Sequence, residues 1–305
     1  MKKSIYLSIY LFIHSSIILN GQVINSQEKE KNESNQRNAT YNLEEIKVRW
    51  KKAALENCPG VPCIVTPPAP SFTCGTSTVS DIDGNAYATV LIGTQCWTVT
   101  NLKVTKYDDG TAIPDQTSIS PSSNWGTLQT GARTDYTGAT GIPSGQTYVS
   151  TYGYLYNWYA VKGIATAGST TYKNICPTGW HVPTDGEWTS LIQFTVPTET
   201  VSATATGIQS SNAGGKLKSQ GTAYWNSPNT GATNESGFSA LPGGYRDNNG
   251  SFSNIRNNAF VWSATEYNSS NALYRYLYHN GSNVNRSYNP SSSKSVGGSV
   301  RCLRD

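Results

Sequence analysis

The sequence predicts an α+β domain with few helices, short strands and long loops. Three observations carry this. Thr184-Asp-Gly-Glu187 is a capping box, and Trp188, Leu191 and Ile192 behind it share one helical face. Residues 79–82 and 86–92 read as two strands around Asp83-Gly84-Asn85, a tight-turn sequence. Residues 108–152 and 197–215 are rich in Thr, Gly and Ser and poor in large aliphatics, which suits long loops.

The elements follow in order. Lys2 and Lys3 precede a mostly apolar run over 5–19, and Gly21 offers a small residue for cleavage. Residues 1–21 are therefore expected to be a signal peptide. An uncleaved anchor is the alternative, although the run is short and broken by Ser and His. Residues 22–57 are a polar segment and a helix, in which Leu43, Ile46, Trp50 and Ala53 recur at spacings of three and four. Residues 58–73 form a Pro-rich linker, and 74–305 the main domain. In the hairpin, Asp81, Asp83 and Asn85 resemble the start of a calcium loop, but the closing acidic residue is missing, so the turn is the expected structure. Residues 154–161 are dense in aromatics and fit either a buried helix or a strand. The capping box at 184–187 opens a helix of about three turns. Residues 238–246 and 259–264 read as strands.

Composition narrows the function. Of 305 residues only 14% are charged, 19 are Tyr and 8 are Trp, which suits an exported globular domain. A formal charge of +4 without a basic stripe gives no strong nucleic-acid signal, so no nucleic-acid partner is expected. The expected location is extracellular or the outer cell surface, with the periplasm as the alternative. Six cysteines in an oxidising compartment suggest disulfides. Proximity suggests Cys58 with Cys63, Cys74 with Cys96 across the hairpin, and Cys176 with Cys302, among fifteen connectivities. The three His are scattered and no pair of Cys-x-x-Cys units occurs, so no metal or cofactor is expected.

The last forty residues are crowded with Tyr, Asn and Ser, the mixture that recognition loops use for rigid contact and adaptable hydrogen bonding. If 273–279 is a strand, Tyr274, Tyr276 and Tyr278 share one face while Leu273, Arg275 and Leu277 share the other. The leucines are expected to face the core and the tyrosines to point outward as an exposed patch.

Several segments together resemble one family. They are Ser80-Asp-Ile-Asp-Gly-Asn85, Ile92-Gly-Thr-Gln-Cys-Trp97, Asn101-Leu-Lys103, Tyr152-Gly-Tyr-Leu-Tyr-Asn-Trp-Tyr-Ala160, Cys176-Pro-Thr-Gly-Trp-His-Val-Pro-Thr-Asp-Gly-Glu-Trp188, Gly237-Phe-Ser-Ala-Leu-Pro-Gly-Gly-Tyr-Arg246, Trp262-Ser-Ala-Thr-Glu266 and Ser299-Val-Arg-Cys-Leu-Arg-Asp305. This pattern is similar to the Fibrobacter succinogenes major paralogous domain over roughly 79–305. The resemblance implies a C-type lectin-like fold, related to formylglycine-generating enzymes. It also implies a C-terminal window of the kind that diversity-generating retroelements rewrite, chiefly at Asn codons. The expected ligand-binding residues are then Tyr267, Ser269, Tyr274, Tyr276, Tyr278, His279, Asn280, Ser287, Tyr288, Asn289 and Ser291. Ala272, Arg275, Leu277, Val284, Arg286 and the closing segment 299–304 read as scaffold.

The expected function is ligand binding at the cell surface, with an unknown protein or glycan as partner. A structural surface or matrix module is the alternative. An enzyme of the formylglycine-generating type is disfavoured, because its two C-terminal copper-binding cysteines are reduced here to Cys302. No catalytic residue is expected: Glu187 is assigned to the helix cap and His181 to structure. Glu266 is nearly alone among carboxylates in the window, which argues against a calcium-dependent sugar site.

Overall fold

The computed structural model describes residues 72–288 and 293–305. In chain order the elements are β1 (Thr78–Ser80), β2 (Ala86–Ile92), β3 (Gln95–Thr98), β4 (Arg133–Thr134), α1 (Tyr148–Tyr152), β5 (Leu155–Tyr156), α2 (Trp158–Lys162), β6 (Trp180–His181) and α3 (Asp185–Thr195). They continue with β7 (Gly207–Ser210), α4 (Ala213–Leu217), β8 (Tyr245–Arg246), β9 (Phe252–Ser253), β10 (Asn258–Glu266), β11 (Ala272–Tyr278), β12 (Val284–Ser287) and β13 (Leu303–Arg304). This is the expected α+β architecture. The signal peptide, the 41–57 helix, Cys58–Cys63 and the linker up to residue 71 lie outside the described residues.

Two antiparallel sheets organise the domain. One has the order β1-β2-β3-β13-β6, the other β10-β11-β12-β7. The hairpin forms as expected, with Thr78 opposite Ala88 and Ser80 opposite Ala86. Asp81 Oδ1 accepts the amides of Asp83 and Asn85, and its Oδ2 accepts from the Tyr87 hydroxyl at 2.7 Å. That carboxylate is thus spent on the turn. Both expected disulfides in the described part are present, Cys74–Cys96 and Cys176–Cys302. They are compatible with an exported protein. No helix of the described residues is long and apolar enough to cross a membrane.

The aromatic stretch at 154–161 makes both candidate elements, β5 and then α2. Residues 238–246 differ from expectation, because only Tyr245–Arg246 is strand. Pro242 lacks a ladder donor and Gly244 sits at φ +67, so the segment bends before it can extend.

Helix α3 starts where the capping box places it. Thr184 Oγ1 accepts from the Glu187 amide, and Glu187 Oε2 accepts from the Thr184 amide at 2.7 Å. Trp188, Leu191 and Ile192 are buried against Ala259, Val261, Leu277 and Val284, so α3 covers one face of the second sheet. On the other face Phe260, Trp262 and Tyr274 join a core with Trp158, Val296 and Val300. The chain around Gly298 runs flat over this face; a Cβ at 298 would collide with the Phe260 ring.

His181 ties α3 to the end of the chain. Its Nε2 lies 3.0 Å from Glu187 Oε1 and its Nδ1 2.6 Å from Asp305 Oδ1. Burial alone would lower its pKa, but the hydrogen bonds to the two carboxylates outweigh that and hold it above the ordinary 6.5. Burial likewise opposes, and the Thr184 and His181 hydrogen bonds dominate, in holding Glu187 below 4.5. The raised imidazole stabilises the fold fully below about pH 6.5 and loses this as pH rises through its folded value. The lowered carboxylate stabilises above about pH 4.5 and loses this as pH falls. Melting temperature should therefore decline modestly on the alkaline side of this window, and His181→Ala should flatten that limb. An unchanged profile in the variant would refute the assignment.

Candidate ligand-binding site

The site is built on β11, the second strand of a four-stranded sheet. Its side chains alternate as a strand requires. Leu273, Arg275 and Leu277 are buried on the α3 side. Arg275 there meets Arg286 of β12, its cross-strand partner, at a shared carboxylate. Asp185 Oδ1 accepts from Arg275 Nη1 at 2.5 Å, and Asp185 Oδ2 from Arg286 Nε at 2.9 Å. Arg275 Nη2 also donates to the Asp185 carbonyl and Thr189 Oγ1, and Arg286 Nη1 to the Thr204 carbonyl at 2.5 Å. Asp185 opens α3, so one buried network fastens two strands to the helix from behind.

The opposite face carries Tyr274, Tyr276 and Tyr278, and the expectation of an outward row needs correction. Tyr274 is only 7% exposed; its ring stacks on Phe260 with centroids 4.0 Å apart. Tyr276 and Tyr278 are half-buried. The cause is the flanking Phe260 and Trp262 together with the 296–300 segment, which cover one end of the face. The tyrosines therefore descend from solvent into the core. Burial first, then a hydrogen bond to Tyr278, raises the Tyr276 hydroxyl above its ordinary pKa.

What results is a cleft of about 600 Å³. One wall is Tyr274, Tyr276, Tyr278 and Ser287 from β11 and β12, with His279 and Asn280 from the turn between them. The other is Tyr245, Asn254, Asn257, Asn258 and Phe260. His279 Nδ1 is engaged with the Ser227 carbonyl at 3.0 Å, and Asn254 Nδ2 donates to the Tyr245 hydroxyl at 3.3 Å. Behind the turn lies Lys218, fully buried, whose Nζ donates to the carbonyls of Thr230, Tyr278 and Gly281 at 2.8–3.0 Å. Burial pulls its pKa down to about 8. It fixes the backbone from which His279 and Asn280 project.

The sequence model of the Fibrobacter succinogenes major domain matches residues 90–304. The chain belongs to that family. No curated protein and no solved structure matches it.

In this Fibrobacter succinogenes major domain, six of the eleven expected ligand residues meet in the cleft: Tyr274, Tyr276, Tyr278, His279, Asn280 and Ser287. Tyr267 and Tyr288 do not line it. They stack on each other beyond the ends of β10 and β12, with centroids 3.5 Å apart. Ser269 is exposed in the loop before β11, where its carbonyl accepts from Lys294 Nζ at 2.7 Å. Asn289 and Ser291 lie outside the described residues. The residues expected to be scaffold are all buried within the described part, except Arg304 at the surface.

Tyr245, Asn254, Asn257, Asn258 and Phe260 are the lining residues that sequence reasoning missed. A signal existed: residues 247–258 repeat the Asn- and Ser-rich composition of the C-terminal window. Of the catalytic candidates, His181 is held between two carboxylates, and Cys302 is bonded to Cys176. Among the described residues no group of three or more His, Cys, Asp or Glu could hold a metal ion.

Proposed function

We propose that this is an exported, C-type lectin-like binding module that recognises its ligand in the Tyr- and Asn-lined cleft, and that it does no chemistry there. One observation carries the reading: six residues of the Tyr/Asn/Ser-rich window converge on one cleft, while their strand neighbours Arg275 and Arg286 are locked to Asp185 on the other side. Such a division lets the ligand face change while the anchoring face stays fixed. It supports the further reading that a retroelement diversifies the window.

Binding is tested with the intact domain and a Tyr276→Ala/Tyr278→Ala double variant, each panned against a random-peptide library and a glycan array. A probe held by the parent and weakened at least about tenfold by the double variant, whose melting is still cooperative, is the expected result. Probes retained equally by both would remove the cleft from the binding site. Diversification is tested by sequencing the gene's 3′ end across a culture. Differences should fall at the codons of Tyr267, Ser269, Tyr274, Tyr276, Tyr278, His279, Asn280, Ser287, Tyr288, Asn289 and Ser291, and spare those of Arg275, Leu277, Val284 and Arg286. An even spread would end that idea.

A further inference from the structure

The cleft's chemistry narrows the ligand. No Asp, Glu, Lys or Arg lines it. Its polar groups are the amides of Asn254, Asn257, Asn258 and Asn280, the His279 imidazole, whose Nδ1 is engaged with the Ser227 carbonyl, and tyrosine and serine hydroxyls. A charged ligand would lose water there and gain no opposite charge, which is expensive. An amide both donates and accepts, as a hydroxyl does, so this lining matches a ligand rich in uncharged hydroxyls.

A second observation lies in the sheet beneath. Asn285 is opposite Tyr276 in the β11–β12 register, which puts it on the tyrosine face. It is 4% exposed, and its Nδ2 has no hydrogen-bond partner. A buried donor left unsatisfied costs about 1–3 kcal/mol. Asn285 does not line the cleft itself, so a ligand hydroxyl would reach its amide only through an intervening water.

The aromatic surface has a matching shape. Tyr276 and Tyr278 meet edge to face, at 82° with centroids 5.0 Å apart. They form a corner with one ring face and one ring edge, on which a flat, C–H-bearing ring can rest. An extended peptide would ordinarily pair its backbone with a free strand edge. Here β11 is paired on both sides, and the outer side of β10 bridges Gly244 and Ser299. Recognition must therefore run through side chains.

We infer that the cleft takes a short, uncharged oligosaccharide, one ring packed on the Tyr276–Tyr278 corner and its hydroxyls bound directly by the asparagine amides, without a bridging cation. The last clause follows from the donor set: amides and hydroxyls with no carboxylate are poor ligands for a hard cation. This rests on the proposed reading that the cleft is the binding site.

The experiment is calorimetric titration of the full domain with short neutral oligomers of glucose, mannose, xylose and N-acetylglucosamine, and with uronic-acid and sulfated oligomers as counterparts. At least one neutral oligomer should bind saturably. Its Kd should change by less than about twofold with EDTA in place of calcium, or with salt raised from about 50 to about 500 mM. Tyr276→Ala should weaken it at least about tenfold. Asn280→Ala, at an exposed turn position, should weaken it about threefold or more while melting stays cooperative. Loss of binding in EDTA, or preference for the acidic oligomers, would overturn the inference. If no oligomer binds while library peptides bind and depend on Tyr276 and Tyr278, the sugar inference falls and the cleft reading stands. If neither class binds in a way that depends on those residues, both fall.

Discussion

Asp185→Ala is expected to destabilise the domain by about 3–5 kcal/mol, enough to abolish most of a typical margin. The carboxylate sits 9% exposed between two guanidinium groups that are 0% and 7% exposed. Removing it leaves two neighbouring cations buried without a counter-charge, and arginine cannot escape by losing its proton. Burial already lowers the pKa of Arg275, with Asp185 opposing that shift. Asp185→Asn keeps an acceptor oxygen and should lose less, though still more than an ordinary surface change. Urea unfolding of the three proteins gives the ranking. Equal stability of Asp185→Ala and the parent would show that β11 and β12 are held chiefly by their apolar contacts with α3.

Breaking Cys176–Cys302 is the second large effect, expected at about 2–5 kcal/mol for a Cys176→Ala/Cys302→Ala pair. The bridge spans 126 residues, against 22 for Cys74–Cys96. Chain entropy alone makes the longer loop more stabilising by about 1.5 kcal/mol. Cys302 is fully buried and Cys176 nearly so, so the alanine pair also loses packing. Cys74 lies at the start of the described domain, and its removal should cost less. Unfolding of both double variants under the same conditions checks the order, and the reverse order would refute the entropy argument.

Local features were legible in the sequence. The hairpin turn, the α3 capping box and the alternation along β11 depend on residues a few positions apart, and all three are found. The β11 alternation also separates Leu273, Arg275 and Leu277 from the three tyrosines, as the structure has it. What was not legible depends on distant chain. Tyr274 is buried because residues 296–300 return over Phe260 and Trp262. The Asp185 network joins residues 90 and 101 positions apart, and no spacing rule connects them. Nothing beside Lys218 in the sequence marks it as buried; the three carbonyls that hold it come from positions 12 to 63 residues away. The Asn254–Asn258 wall needed the β10–β11 register, with Asn258 opposite Tyr278, to bring it beside the tyrosines.

The position of β13 has a consequence for which versions of this protein can exist. Leu303 pairs with Trp97 on one side and His181 on the other, so this late strand fills the middle of its sheet rather than its edge. A chain that stops anywhere in the 266–288 window lacks the strand that joins β3 to β6, and lacks Cys302 as well. A frame shift there has the same result. Truncation thus yields an open sheet in which β3 and β6 lose their shared partner, with unpaired edges prone to aggregation or proteolysis. The last residues of the domain are therefore a condition for closing the sheet that its first strands begin.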